Sequence, residues 1–374
     1  MGLRKQDLFR VDQTVTNSLY IPVPDKIQFE ISSMCNALCL GCVRTDTRTF
    51  NNPKSKVPKK QLVSINTVIK LLTSKSMSTV TNIEFCGTID EPMMHPDFLE
   101  MLEAINNINP GFYRVVIHTN ASVRSTDDWT RLAVILNKFK SHSVKFGIDG
   151  LEDTHAIYRQ NTDFNKIIEN AKAFIAANGN AEWQYLIFPW NSHQVDIARE
   201  LSKEYKFKLF IERYDRSDAT KIGLEKINAL KKTTPKPQTM NIIRPLDDYI
   251  KNQKNEPIDC YYKTHNMYFV SHDSKLWPCC FIANGFFSLN SSASEFLNKR
   301  IFEHYGEDFN DLTEHSVEEI LASDFYTSDL VDSWMHQVGL GKKDKVSRCA
   351  ETCGVKQLEQ LPIGKFQITD TSQQ

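Results

Sequence analysis

From residue 27 onward, short β-prone runs alternate with longer stretches whose apolar residues recur every three or four positions. The runs "IQFEIS" (27–32), "VTNIEF" (80–85), "YRVVIH" (113–118), "SVKFGI" (143–148), "EWQYLIF" (182–188) and "FKLFIE" (207–212) predict strands. Between them, "SINTVIKLLTSK" (64–75) places Ile65, Val68, Ile69, Leu71 and Leu72 at helical spacing. "HPDFLEMLEAINNI" (95–108), "TDDWTRLAVILNKF" (126–139), "DFNKIIENAKAFIAAN" (163–178) and "SHQVDIARELSKEY" (192–205) have the same period. Pro96 stands near the start of the second helix, and Thr126 or Asp127 is the expected cap of the third. Six strand–helix units in under two hundred residues predict a parallel α/β sheet or partial barrel with right-handed crossovers. In such folds ligands bind at the carboxyl ends of the strands, on the loops that follow them.

After about residue 215 the rhythm stops. "KKTTPKPQTMNIIRP" is polar, basic and proline-bearing, and reads as a linker. The expected organisation is an N-terminal extension (1–26), the partial barrel (27–215), a linker (216–257), a small cysteine-bearing α+β region (258–356) and a polar tail (357–374). The basic linker (Lys221, Lys226, Lys231, Lys232, Lys236) reads either as a solvated connector or as a contact for a phosphate.

With 374 residues, 41% hydrophobic and 24% charged, the chain has the composition of an ordinary globular protein with room for a sizeable core. A formal net charge of −1 makes no demand for nucleic acid or an anionic membrane. The longest apolar runs, such as "YLIF" (185–188), fall far short of the roughly 20 residues that span a bilayer. "MGLRKQDLFRVDQ" has neither the apolar core of a signal peptide nor a Ser or Thr at position 6 for myristoylation. These features predict a cytoplasmic chain.

In a reducing compartment, clustered cysteines read first as metal ligands or redox groups. Nine are present: Cys35, Cys39 and Cys42 at the front, Cys86 alone, and Cys260, Cys279, Cys280, Cys349 and Cys353 at the back. The front trio, in "MCNALCLGCVR" (34–44), has the spacing C-x3-C-x2-C and falls in the loop after the first strand. A closed structural zinc site needs four ligands. A cubane iron–sulfur cluster has four iron corners, normally each held by a thiolate. Three cysteines can hold three irons and leave the fourth open. The competing reading is zinc, with His95 or His118 as fourth ligand.

C-x3-C-x2-C directly after the first strand of a repeated βα domain resembles the radical S-adenosylmethionine (radical SAM) enzymes. The resemblance covers most of the chain and implies a partial (β/α)6 parallel barrel. It also implies a [4Fe-4S] cluster on Cys35, Cys39 and Cys42 whose open iron binds SAM. Further stretches match in order. "FCGTIDEPMMHPDF" (85–98) resembles the family's glycine–glutamate–proline segment, which implies Glu91 near the SAM amino group. "IHTNAS" (117–122) resembles the turn that brings Thr119 and Asn120 to the pocket. "FGIDGLEDTHAIYR" (146–159) implies Asp149 near the SAM ribose and Arg159 near its carboxylate, a task suited to a planar bidentate donor. Two positions depart from the family pattern: Gly41 stands where an aromatic residue usually precedes the third cysteine, and Asp90 where a glycine is usual.

"DCYYKTHNMYFVSHDSKLWPCC" (259–280) with "SRCAETCGV" (347–355) resembles the SPASM or twitch extension of some radical SAM enzymes. A strand–turn–strand in "MYFVSHDSKLWPCC" and helices in "SVEEILASDFYTSDLVDSWM" (316–335) would complete it. The likeness implies one auxiliary [4Fe-4S] cluster on Cys260, Cys279, Cys349 and Cys353, with Cys280 a spare or substitute ligand. A four-cysteine zinc site is the alternative. Cys86 reads as packing or pocket lining, and His118 as a satisfied core histidine or a proton donor. The family implies a low-potential electron donor of flavodoxin or ferredoxin type, and a peptide or protein substrate slightly ahead of a nucleotide, sugar or other small molecule. About 26 residues precede the first strand, which predicts no leader-binding domain of about eighty residues within the chain. A non-enzymatic, zinc-stabilised binding protein is the remaining alternative.

Overall fold

The computed structural model describes residues 20–21, 23–40, 42, 44, 60–214, 246–253, 255–286, 291–354 and 367–370. Gly41 and the five linker lysines lie outside the described residues. Six parallel strands run in chain order across the sheet: β1 (Lys26–Phe29), β2 (Asn82–Phe85), β3 (Arg114–Thr119), β4 (Ser141–Gly147), β5 (Ala181–Ile187) and β6 (Leu209–Tyr214). Each crossover carries a helix: α1 (Ile65–Leu72), α2 (Phe98–Ile108), α3 (Thr126–Leu136), a short α4 (His155–Tyr158) followed by α5 (Phe164–Ala176), and α6 (Val195–Glu204). The expected α/β class and its strand–helix order are those observed.

The strand sequences explain the layering. In β2, Ile83 and Phe85 are buried while Asn82 and Glu84 are only half-buried, and β1 has the same alternation. One face therefore packs on the helices through Phe29 stacked on Phe85 (5.6 Å), Phe85 against Phe98 (5.0 Å), Trp129 against Phe146 (5.3 Å) and Trp183 against Phe207 (5.2 Å). The other face is polar. Cysteines that follow β1 and Arg213 of β6 line one cavity, so the six strands curl into an open barrel around it.

Helix starts follow local chemistry, with one correction. α3 is capped by Ser125, not by Thr126 or Asp127. The Ser125 hydroxyl accepts from Asp128 N–H, and the Asp128 carboxylate accepts from Ser125 N–H, a capping box that satisfies two amides at once.

Two segments differ from expectation. A helical turn, α7 (Leu246–Lys251), stands within the stretch read as linker. A strand, Gln367–Asp370, stands within the stretch read as polar tail and pairs antiparallel with β6. The cysteine-bearing region contributes to the same sheet. β7 (Met267–Val270) pairs in parallel with β1, and β8 (Leu276–Trp277) returns antiparallel to β7, which makes the tail strand β9. The helices of four or more residues described in this region are α8 (Tyr261–Thr264), α9 (Cys280–Gly285), α10 (Ser291–Leu297), α11 (Val317–Ala322) and α12 (Ser347–Cys353), besides shorter and π-helical turns. No helix among the described residues is long and apolar enough to cross a membrane.

Candidate active site

A cavity of about 410 Å³ opens at the carboxyl ends of the six parallel strands. Cys35, Cys39 and Cys42 line it together with Glu91, Thr119, Asn120, Asp149 and Arg159. All eight residues expected at the front site thus meet around one space.

The cysteine loop is built from its neighbours rather than from itself. Leu38 N–H donates to the Gln160 carbonyl (2.8 Å) and Leu40 N–H to the Tyr158 carbonyl (3.1 Å). Asn161 Nδ2 donates to the Asn36 carbonyl (2.7 Å), and Glu91 N–H to the Met34 carbonyl (2.7 Å). The loop therefore rests on the turn after β2 and on the segment after α4. Cys42 N–H donates to the Cys39 carbonyl (3.3 Å), and Asn120 Nδ2 approaches Cys35 Sγ at 3.7 Å.

Glu91 is buried and held by three donors. Its carboxylate accepts from the Thr119 hydroxyl (2.6 Å), Asn120 N–H (2.6 Å) and Met93 N–H (3.3 Å). Burial raises its pKa, and these three donors work in the opposite direction. The tripeptide after β2 and the turn after β3 are thus one hydrogen-bonded unit. Asp149, with no exposed surface, accepts from Leu186 N–H (2.6 Å) and from Arg159 Nε (2.6 Å). Burial is the largest single influence on Arg159 and acts to lower its pKa, but Asp149, Cys39 and Tyr158 together raise it and hold the guanidinium charged. Gly147 makes this possible: a Cβ there would stand 2.3 Å from Arg159 Nη2. Tyr158 also lines the cavity, and packs on Phe188, which stacks on Trp190.

Several supporting residues escaped the sequence reading. Asp90, at the position where a glycine is usual, accepts from Ile31 N–H (3.0 Å) and Ser32 N–H (3.3 Å). Burial, then Glu30 and Glu91, push its carboxyl well above the ordinary range. Glu30 accepts from Thr88 N–H (2.5 Å) and Ile89 N–H (2.9 Å), and pairs with His272 Nδ1 at 2.7 Å, both side chains fully buried. Arg44 donates to the Ser33 and Ile89 carbonyls. Burial lowers its pKa, while Cys35 and Cys42 oppose that shift. An arginine two residues after the third cysteine was the one available signal.

The donor set fits an iron–sulfur group. Three thiols share one wall of a cavity, and burial followed by Glu91 and Cys39 raises the Cys35 thiol, a strain that a cationic metal would relieve. His95 Nε2 faces the Val63 carbonyl (3.0 Å) and does not line the cavity. Cys260, Cys279 and the pair Cys349 and Cys353 of α12, drawn from three separated stretches, converge on a second, small pocket. There Cys260 is pulled down by a hydrogen bond from the Cys353 thiol, against burial, with further help from the Tyr20 hydroxyl at 2.8 Å. This donor set suits a four-iron cluster or zinc alike. Cys280 faces Tyr262 instead.

No protein-family model matches this chain, and no curated protein matches it in sequence. Among solved structures, it is similar to Streptococcus suis SuiB bound to precursor peptide SuiA, with a TM-score of 0.50 and 12% identity over 87% of this chain and 76% of that one. SuiB bound to S-adenosylmethionine gives a TM-score of 0.45 and 13% identity over 69% of this chain, which spans 61% of that one. Native anSMEcpe with bound AdoMet gives 0.43 and 15% over 80% of each chain. What this chain shares with the peptide-bound SuiB is the fold.

Proposed function

We propose that the chain is a radical SAM enzyme. The observation that carries this reading is the convergence of three thiols with Glu91, Thr119, Asn120, Asp149 and Arg159 on one 410 Å³ cavity at the strand ends. Cys35, Cys39 and Cys42 would hold a [4Fe-4S] cluster, and the rim residues would hold SAM. When bound and reduced by a low-potential flavodoxin- or ferredoxin-type partner, this pair would supply a 5′-deoxyadenosyl radical that abstracts hydrogen from the substrate. The protein's own part is positioning. Glu91 is braced by Thr119 and Asn120 to receive an amine, and Arg159 is fixed by Asp149 to present its remaining N–H donors to a carboxylate.

Cys260, Cys279, Cys349 and Cys353 would hold one auxiliary [4Fe-4S] cluster, with zinc the alternative. A peptide or protein side chain is the favoured substrate, in keeping with the peptide-bound SuiB that shares this fold.

Iron and sulfide per chain after anaerobic reconstitution, with 5′-deoxyadenosine release on adding SAM and dithionite, test the reading. About eight irons falling to about four in a Cys35/Cys39/Cys42→Ala variant, with loss of 5′-deoxyadenosine, is the expected result. Zinc in place of iron at both sites would overturn it.

A further inference from the structure

Beneath the rim, the cavity is floored by polar side chains that none of the roles above uses. They come one from each successive strand: Cys86 just past β2, His118 from β3, Lys145 from β4, Gln184 from β5 and Arg213 from β6. Strands of a parallel sheet are ordinarily apolar on both faces. Polar groups held in such a place cost free energy unless something answers them.

One candidate answer is a cation. Glu84, Cys86 and His118 offer ligand atoms within 4.8 Å of one another. The surroundings oppose it. Lys145 is the register partner of His118 on the next strand. Burial lowers the pKa of His118, and the positive charges of Lys145 and Arg213 add to that. A divalent ion would meet the same two charges. Glu84 is already answered within the protein, by His118 Nε2 at 3.1 Å and Lys26 Nζ at 3.7 Å, with the Lys145 charge acting on it from farther away.

An anion fits better. Among the described residues, the Lys145 ammonium has no hydrogen-bond or ion-pair partner. Gln184 Nε2 is buried without a hydrogen-bond partner. Arg213 lines the same floor and adds a second basic side chain. We infer that the cavity floor binds an anionic oxygen group of the substrate, a carboxylate or a phosphate, through Lys145, Gln184 and Arg213. The inference rests on the reading of this cavity as the substrate chamber of a radical SAM enzyme. It makes the substrate an acidic molecule or residue, anchored by its charge below the rim.

The test is calorimetric titration of the full reconstituted chain, with SAM present, using glutarate and inorganic phosphate as probes. At least one probe should bind, and the one that does names the source of the charge. Lys145→Met and Arg213→Gln should each weaken that probe by about tenfold or more, as expected for loss of a charge-assisted contact. Lys145→Arg, which keeps the charge, should retain binding and so separates charge loss from misfolding. Exposed Lys208 is the control, and Lys208→Met should bind as wild type. No binding of either probe, undiminished binding by Lys145→Met, or equal loss in Lys145→Arg would each overturn the inference. So would a parallel loss of SAM affinity in Lys145→Met, since the floor would then belong to SAM. In each of these failures the wild-type chain still forms 5′-deoxyadenosine from SAM, whereas failure of the functional reading abolishes it.

Discussion

Gly147 shows how a single hydrogen atom in place of a side chain shapes the site. It lets the Arg159 guanidinium lie against the end of β4, where Asp149 fixes it. Gly147→Ala should push Arg159 off Asp149 and weaken SAM binding by about tenfold, measured by equilibrium dialysis, with the iron content unchanged. Residue-level legibility was uneven. The three front cysteines stood out by their spacing in the loop after the first strand, whereas Glu91, Thr119, Asn120, Asp149 and Arg159 were legible only through the resemblance of their stretches to a family pattern. The roles of Asp90, Glu30 and His272 left no such signal, because their work is to satisfy backbone amides and each other across long sequence separations. The floor residues did leave a trace: polar side chains at alternate positions of strands that should be apolar throughout. His118, Lys145 and Gln184 are legible in that alternation once both faces of the strand are considered.

At the scale of elements, α4 is the weakest piece that the site depends on. It has four residues and no side-chain cap, too few to form a helix unaided. His155 holds it: Nδ1 accepts from Asp149 N–H (3.2 Å) and Nε2 lies 3.0 Å from the Thr162 hydroxyl. Burial, with Arg159 nearby, lowers the His155 pKa to about 3. The unfolded chain, with an ordinary histidine pKa of about 6.5, binds the proton more readily. The stability due to neutral His155 is therefore fully present above about pH 6.5 and is lost as pH falls toward 3, at up to about 1.4 kcal/mol per pH unit. Denaturant midpoints measured from pH 6.5 to 4 should fall less steeply in His155→Gln than in the wild type. Strands and long helices were legible here because their periodicity is strong. The α3 cap was missed by one residue because Ser125 and Thr126 are both good caps and only the backbone decides between them. β9 was missed because four residues in a polar stretch carry too little pattern to register.

At the scale of the molecule, the sheet is longer than its βα rhythm. β7 and β8 extend it beyond β1, and β9 extends it beyond β6, giving nine strands among the described residues. The pairing of β1 with β7 joins residues more than two hundred positions apart, and no local pattern announces such a contact. A chain ending at residue 215 would leave the outer edges of β1 and β6 unpaired, and would lose His272 from the buried Glu30. Such a fragment should be recovered mainly as aggregate in a sedimentation assay, and a monomeric, helical fragment would contradict this view of the fold.

The same edge pairing bears on how the protein is made. During translation, β1 to β6 emerge first, yet the strands that cover their two borders emerge only later. Until then a nascent chain carries both borders bare, with its three front thiols already outside the ribosome. Chaperones that shield strand edges would meet this polypeptide in that interval, as would, under the proposed function, the machinery that delivers iron and sulfide, and the order of their arrival would decide how much of it matures.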